Sequence, residues 1–399
     1  MSLNDTPSGE RVHIGFFGRR NVGKSSLVNA ITGQNLSVVS EIKGTTTDPV
    51  RKAMELLPLG PVLIIDTPGF DDEGSLGALR VAKTREVLEE TDIAVLVAEA
   101  HAGLTAADAE LLSLFQAQGI PHLVVLNKFD LSSSQSVVQN DHQLAVSAAT
   151  GYHIEECKER LARMAPSRAP RELLSDLVES GDIVVLVTPI DSAAPKGRMI
   201  LPQMQAVRAV LDAGAINVVV REFELAQALA LLQRPPALVI TDSQAFEFVS
   251  QIVPREVPLT SFSILFARYK GFLEEAVRGV RALNGLPEGA NILIAEGCTH
   301  HRQCDDIGTV KLPRWIQAHA QKEVSFHFCS GREFPENLRG YDLILHCGGC
   351  MLNERALLSR QRAAQAQGVP FTNYGVAIAF LNGILERCLL NGQLVTYNA

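Results

Sequence analysis

The chain has 399 residues, enough for two to four domains with cores of their own. Hydrophobic residues at 46% and charged residues at 20% describe an ordinary globular protein, and no apolar run approaches membrane-spanning length. A net charge of −8, from 36 basic and 44 acidic side chains, argues against general affinity for nucleic acid or an anionic membrane. The first ten residues are polar and carry no apolar signal core. Seven cysteines without a regular framework suit a reducing compartment, so a cytoplasmic location is expected.

Val12 to Phe17 is an apolar run that reads as a buried strand. It leads into Gly18-Arg19-Arg20-Asn21-Val22-Gly23-Lys24-Ser25, the G-x-x-x-x-G-K-S pattern of a phosphate-binding loop. Ser26 to Ile31 continues with helical periodicity, so the pattern stands between a strand and a helix, as its chemistry requires. Glycines let backbone N–H groups wrap the phosphates, and the helix N-terminus adds partial positive charge. Lys24 is expected to bridge the β- and γ-phosphates and Ser25 to ligate Mg²⁺. Val62 to Ile65 then ends in Asp66-Thr67-Pro68-Gly69, where Asp66 holds the Mg²⁺ shell and the Gly69 N–H senses the γ-phosphate. Leu123 to Leu126 ends in Asn127-Lys128-Phe129-Asp130, whose carboxylate accepts two hydrogen bonds that guanine offers and adenine cannot. Ser147-Ala148-Ala149 resembles the loop that meets guanine O6.

Two further details narrow the GTPase type. Phe70 stands where Ras-like proteins carry a water-positioning glutamine. Asn21 resembles the potassium-binding asparagine of the TrmE–Era–Era-like GTPases, in which K⁺ replaces an arginine finger. Gly44-Thr45-Thr46-Thr47-Asp48 also resembles the switch of that group, with Thr46 at the magnesium-binding position. Lys24, Thr46, Asp66 and Gly69 thus form the expected catalytic set. Gly18, Asn21, Val22, Gly23, Ser25, Ser26, Asn127, Lys128, Asp130, Ser147 and Ala148 complete the expected nucleotide site.

Ala165 to Arg171 is rich in proline and weakly apolar, and marks a domain boundary. Beyond it, strand-like runs at Asp182 to Ile190, Ile216 to Val220 and Ala237 to Ile240 alternate with helical patterns at Gln203 to Leu211, Leu225 to Leu232 and Gln244 to Ile252. This alternation predicts a small parallel sheet covered by helices. No catalytic motif appears in it, and Ser261 to Phe266 reads as a candidate edge strand for self-association. Pro195 to Arg198 could bind an anion or a partner, though a solvated turn before a helix is the favoured reading. A second small α/β unit begins near Arg268, with strands at Asn291 to Ala295, Glu323 to Phe328 and Tyr341 to Leu345, and helices at Gly271 to Leu283 and Asn353 to Gln367.

Cys298-Thr299-His300 and His346-Cys347-Gly348-Gly349-Cys350 each follow one of these strands. Parallel strands bring their outgoing loops to one rim, so the two segments can meet despite their separation. The residues themselves leave open a structural zinc site of Cys₃His type, a Cys347–Cys350 disulfide, and an iron–sulfur cluster on three cysteines with a weaker fourth ligand. Cys157 and Cys388 lie in helical patterns and read as inert core thiols. Cys329 ends a strand and could lie near the rim, and Cys304 falls in the Cys298 loop.

The whole combination resembles the FeFe-hydrogenase maturation GTPases (HydF), down to the stretches Ala194 to Arg198 and Ala267 to Gly271. That resemblance implies a P-loop GTPase domain at 1–165, a dimerisation domain at 166–268 and an iron–sulfur domain at 269–399, the last two being smaller parallel-sheet α/β domains. It implies a 4Fe-4S cluster on Cys298, Cys347 and Cys350, with His300 and His346 in or beside the fourth position. It also implies GTP, Mg²⁺ and K⁺ as cofactors, and a homodimer that receives a diiron precursor made with two radical-SAM maturases and passes it to apo FeFe-hydrogenase. The competing expectation is a ribosome- or tRNA-maturation GTPase switch carrying a structural zinc domain.

Overall fold

A computed structural model describes residues 6–34, 49–69, 75–132, 140–166, 172–189, 199–297 and 306–394, with the backbone path alone for 75–82. The chain divides into two compact units, Met1–Arg168 and Ala169–Ala399. No helix among the described residues is long and apolar enough to cross a membrane.

The first unit runs β1 (Val12–Phe17), α1 (Lys24–Thr32), β2 (Val50–Leu56), β3 (Gly60–Asp66), α2 (Ser75–Glu90), β4 (Ile93–Glu99), α3 (Ala106–Ala117), β5 (His122–Asn127), β6 (Gln143–Ala145) and α4 (Ile154–Met164). Its six-stranded sheet has the order β2-β3-β1-β4-β5-β6, parallel except for β2, which pairs antiparallel with β3. Strands β1, β3, β4 and β5 are apolar almost throughout because helices cover both sheet faces. Each face has a core of its own, one around Ile14, Leu27 and Leu161, the other around Phe17, Leu88 and Phe115. Cys157 lies in the first of these, its thiol pushed up to about 12 by burial.

The second unit continues with β7 (Ile183–Val187), α5 (Leu201–Asp212), β8 (Ile216–Val220), α6 (Leu225–Leu231), β9 (Leu238–Thr241), α7 (Phe246–Ile252), β10 (Leu259–Ser261) and α8 (Phe262–Tyr269). Then follow α9 (Leu273–Val280), β11 (Ala290–Glu296), α10 (Leu312–Ala320), β12 (Val324–Ser330), β13 (Leu343–His346), α11 (Glu354–Ala366), β14 (Phe371–Asn373), α12 (Tyr374–Leu381) and α13 (Leu385–Cys388). Two four-stranded parallel sheets result, ordered β10-β9-β7-β8 and β12-β11-β13-β14. One continuous apolar core runs through both, from Leu174 to Leu394. Cys388 is buried in it, and the Cys388 carbonyl accepts from Thr260 Oγ1, so α13 covers the β10 edge.

The expected edge strand Ser261 to Phe266 is not one. Ser261 caps a helix there, its hydroxyl accepting from the Ile264 N–H at 3.2 Å, and Phe262, Leu265 and Phe266 are buried. A short apolar helix and an apolar strand share the same local composition, and the cap decides between them. The exposed edge of this sheet is β8. Ile216 and Val219 stand on it at 51% and 44% exposure, beside Leu211, Phe223 and Leu231 from the flanking segments.

Helix α9 crosses β14 backbone to backbone. Thr372 Oγ1 donates to the Ala276 carbonyl at 2.8 Å, and a Cβ on Gly279 would stand 2.1 Å from the Phe371 carbonyl oxygen. Gly279→Ala is therefore expected to destabilise the second unit by about 2 kcal/mol through overpacking, read as a lower denaturant midpoint for the full chain.

Candidate functional sites

The phosphate-binding loop lies between β1 and α1 and bends through left-handed residues, with φ +141° at Gly18, +61° at Asn21 and +90° at Gly23. A Cβ on Gly18 would meet the Val97 carbonyl at 2.2 Å, and one on Gly23 would meet Asn127 Nδ2 at 2.3 Å. Lys24 is buried and donates to the carbonyls of Gly18 and Arg19 at 2.9 and 2.7 Å, so its ammonium lies inside the loop. Ser25 Oγ donates to Asp66 Oδ2 at 2.6 Å, which joins the two expected magnesium-shell residues. Thr67 donates through its hydroxyl to the Phe16 carbonyl at 2.6 Å and holds the Asp66–Gly69 turn against β1. Gly69 packs so closely on Arg20 that a Cβ would stand 2.9 Å from its backbone. Val22 is buried, and Ser26 lies in the first turn of α1.

The base-reading loops meet on the other side of the same rim. Asn127 Nδ2 donates to the Val22 carbonyl at 3.0 Å, while its Oδ1 accepts from the Ala148 N–H at 3.1 Å. Ser147 Oγ donates to Asp130 Oδ1 at 2.6 Å and orients that carboxylate. Lys128, left-handed at φ +61°, pairs with Glu99 at the end of β4, and this ammonium holds the Glu99 carboxyl below the usual range. Glu99 was not among the expected site residues, although an acidic residue closing an apolar strand on the rim was a signal for it. Thr46 and Phe70 lie outside the described residues.

In the second unit, β11 carries Ala295 between Cys329 of β12 and His346 of β13 in register. The Cys347 N–H donates to the Ala295 carbonyl at 2.9 Å, which joins the loops leaving β13 and β11. Cys347 Sγ accepts from the N–H groups of Gly297 and Gly349, at 3.0 and 3.4 Å. Cys347 and Cys350 are free thiols, with no disulfide between them. Burial pushes the Cys347 thiol up to about 11 and raises that of Cys350 as well. Cys298, His300 and Cys304 lie outside the described residues. Among the residues described, no metal-holding group of three or more His, Cys, Asp or Glu side chains is assembled.

His346 takes a different place from the one expected. Its Nδ1–H donates to the Cys347 carbonyl at 2.8 Å, and its Nε2 accepts from Arg360 Nη1 at 3.0 Å. Burial and the Arg360 charge push the imidazole down to about 3, so it is neutral and both its nitrogens are engaged. The pleat explains this, because neighbours along a strand point to opposite faces. His346 shares its row with Cys329, and Cys347 falls in the next. In this arrangement both ring nitrogens of His346 are hydrogen-bonded, and the imidazole supports the loop. Cys329 is pushed up to about 11 by burial, with Arg360 opposing.

Comparison with known families agrees with this division of the chain. A family model described as 50S ribosome-binding GTPase matches residues 13–128, so the first unit is a GTPase domain. The hydrogen maturase F dimerization domain matches residues 173–271, and the hydrogen maturase F tetramerization domain matches residues 274–391. These two together span more than half of the chain. The chain belongs to the hydrogen maturase F family.

Among curated relatives, GTPase Der of Wolinella succinogenes is 31% identical over 194 residues, covering 44% of this chain and 41% of the relative. The tRNA modification GTPase MnmE of Heliobacterium modesticaldum is 37% identical over 155 residues, covering 37% of this chain and 33% of the relative. The chain thus spans less than half the length of these relatives. Among solved structures, Era of Aquifex aeolicus bound to GDP.AlF4- is 19% identical, with a TM-score of 0.35, covering 55% of this chain and 98% of that one. Along the chain, the GTPase match comes first and the two hydrogen maturase F matches follow it.

Gly23→Ala adds a Cβ against Asn127 and imposes a left-handed φ on a residue that disfavours it. It is expected to weaken GDP binding by about a hundredfold or more, measured by titration with a fluorescent analogue, without unfolding the sheet.

Proposed function

We propose that this chain is a GTP-hydrolysing scaffold that holds a 4Fe-4S cluster and delivers a diiron precursor to apo FeFe-hydrogenase. The observation that carries this reading is the Cys347 sulfur, half-buried and in no disulfide, with two backbone N–H groups turned onto it within the hydrogen maturase F tetramerization domain. Thiolate sulfurs receiving N–H bonds fit the donor set of an iron–sulfur cluster. Cys298, Cys347 and Cys350 are the residues that would hold it, with His300 at or beside the remaining position. When bound, the cluster supplies an iron site at which cargo can attach and later leave. Two hydrogen maturase F domains favour this over a translation-linked switch with structural zinc.

In the GTPase domain, Lys24 places positive charge at the β- and γ-phosphates, and Gly69 presents its N–H to the γ-phosphate. Ser25 and Thr46, with Asp66 behind them, would hold Mg²⁺, and Asn21 is the ligand for K⁺. Asp130, oriented by Ser147, reads the guanine edge, while Asn127 keeps the phosphate and base loops in one piece. The two radical-SAM maturases are the partners this role requires. Self-association uses the apolar β8 edge, since a parallel sheet can extend only through an edge that nothing covers.

Three outcomes are expected. Anaerobically purified protein contains iron and acid-labile sulfide, and Cys347→Ser or Cys350→Ser loses both while GTP hydrolysis survives; zinc without sulfide would favour the alternative. Hydrolysis runs faster in K⁺ than in Na⁺, and Asp130→Asn shifts selectivity from guanosine towards xanthosine nucleotides, both read from steady-state rates. Ile216→Lys combined with Val219→Lys moves the full chain to a smaller species in sedimentation, with folding unchanged by circular dichroism.

A further inference from the structure

Lys270 follows α8 and belongs to the hydrogen maturase F dimerization match, yet its side chain reaches into the neighbouring domain. It is 4% exposed, and its ammonium donates to the Gly349 carbonyl at 2.8 Å and to the Leu352 carbonyl. A buried ammonium is costly unless its donors are matched, so a lysine kept here needs a reason in the loop it meets. His346 Nδ1–H takes the Cys347 carbonyl in the same way. Three carbonyls of the segment between β13 and α11 are therefore drawn towards buried donors. Within the turn these donors hold, the Gly349 N–H faces the Cys347 sulfur at 3.4 Å, and the Gly297 N–H reaches the same sulfur from the end of β11 at 3.0 Å.

We propose that Lys270 is a positioning residue for the sulfur site, holding the Cys347–Cys350 turn so that the Gly349 amide faces sulfur and placing a positive charge beside the thiolates. A fixed cation favours the more negative oxidation state of whatever the thiolates hold. The inference rests on the cluster reading above, and it assigns a role to the stretch Ala267 to Gly271.

The test uses the full chain as wild type, Lys270→Gln, which keeps a donor without charge, and Lys270→Arg, which keeps the charge. In metal-free protein, amide hydrogen exchange across residues 346–353 is compared with exchange in β7. Lys270→Gln is expected to speed the loop about tenfold and leave β7 unchanged, since bonds from a charged donor are replaced by neutral ones. In cluster-loaded protein of equal iron and sulfide content, the midpoint potential is expected to move negative in Lys270→Gln and to return towards wild type in Lys270→Arg. Unchanged exchange together with an unchanged potential in Lys270→Gln overturns the proposal, and so does a potential that shifts equally in both variants. If wild type itself takes up no iron and sulfide, the cluster reading falls. The metal-free exchange comparison then still decides whether Lys270 holds the loop.

Discussion

Parallel pairing of β11 with β13 is the constraint on which the sulfur site depends. Two strands pointing the same way deliver their outgoing loops to one rim, and the Cys347 N–H to Ala295 carbonyl bond fixes how those loops meet. With that bond in place, Gly297 is close enough to donate to the Cys347 sulfur, although the two are far apart in sequence. Antiparallel pairing would have put the loops at opposite ends of the sheet. Two nearby glycines suit their places for other reasons: Gly349 is left-handed at φ +62°, and a Cβ on Gly297 would press on Leu352 at 3.1 Å.

The GTPase domain solves a similar problem by another means. Its phosphate loop, its magnesium-side carboxylate and its base-reading loops leave different strands of one parallel sheet. Asn127 binds two of these loops with opposite ends of a single amide, and Ser25 meets Asp66 across a third. Phosphate recognition and base recognition are consequently parts of one hydrogen-bonded frame. Such a frame is preorganised, so less binding energy is spent on ordering it when nucleotide arrives.

How far the sequence was legible varies with the kind of signal. The nucleotide motifs could be read because each couples fixed residue types to a strand end, and the structure brings Lys24, Ser25, Asp66, Asn127 and Asp130 to one rim. Strands such as Val12–Phe17 and Ile216–Val220 were plain from their apolar runs. Ser261 to Phe266 was misread because composition cannot separate a capped apolar helix from a strand. Phe371–Asn373 and Tyr374–Leu381 went unseen, since a three-residue strand and an all-apolar helix leave no period to detect. His346 was expected in or beside the fourth position from the resemblance alone, and its contact with Arg360 left no mark in the sequence. Lys270 and Arg360 were out of reach, as a contact between distant segments leaves no local mark.

The single core beneath both small sheets has a consequence for how this unit can respond to what it binds. Side chains from Leu174 to Leu394 exclude water together, so neither half can open without exposing apolar surface of the other. The two matched family domains are thus mechanically one body, and its free energy of unfolding is shared. A copy docking on the β8 edge and a metal group seated at the sulfur rim would each stabilise the same folded state. Assembly and loading then reinforce each other's resistance to unfolding, even where neither changes the other's intrinsic affinity.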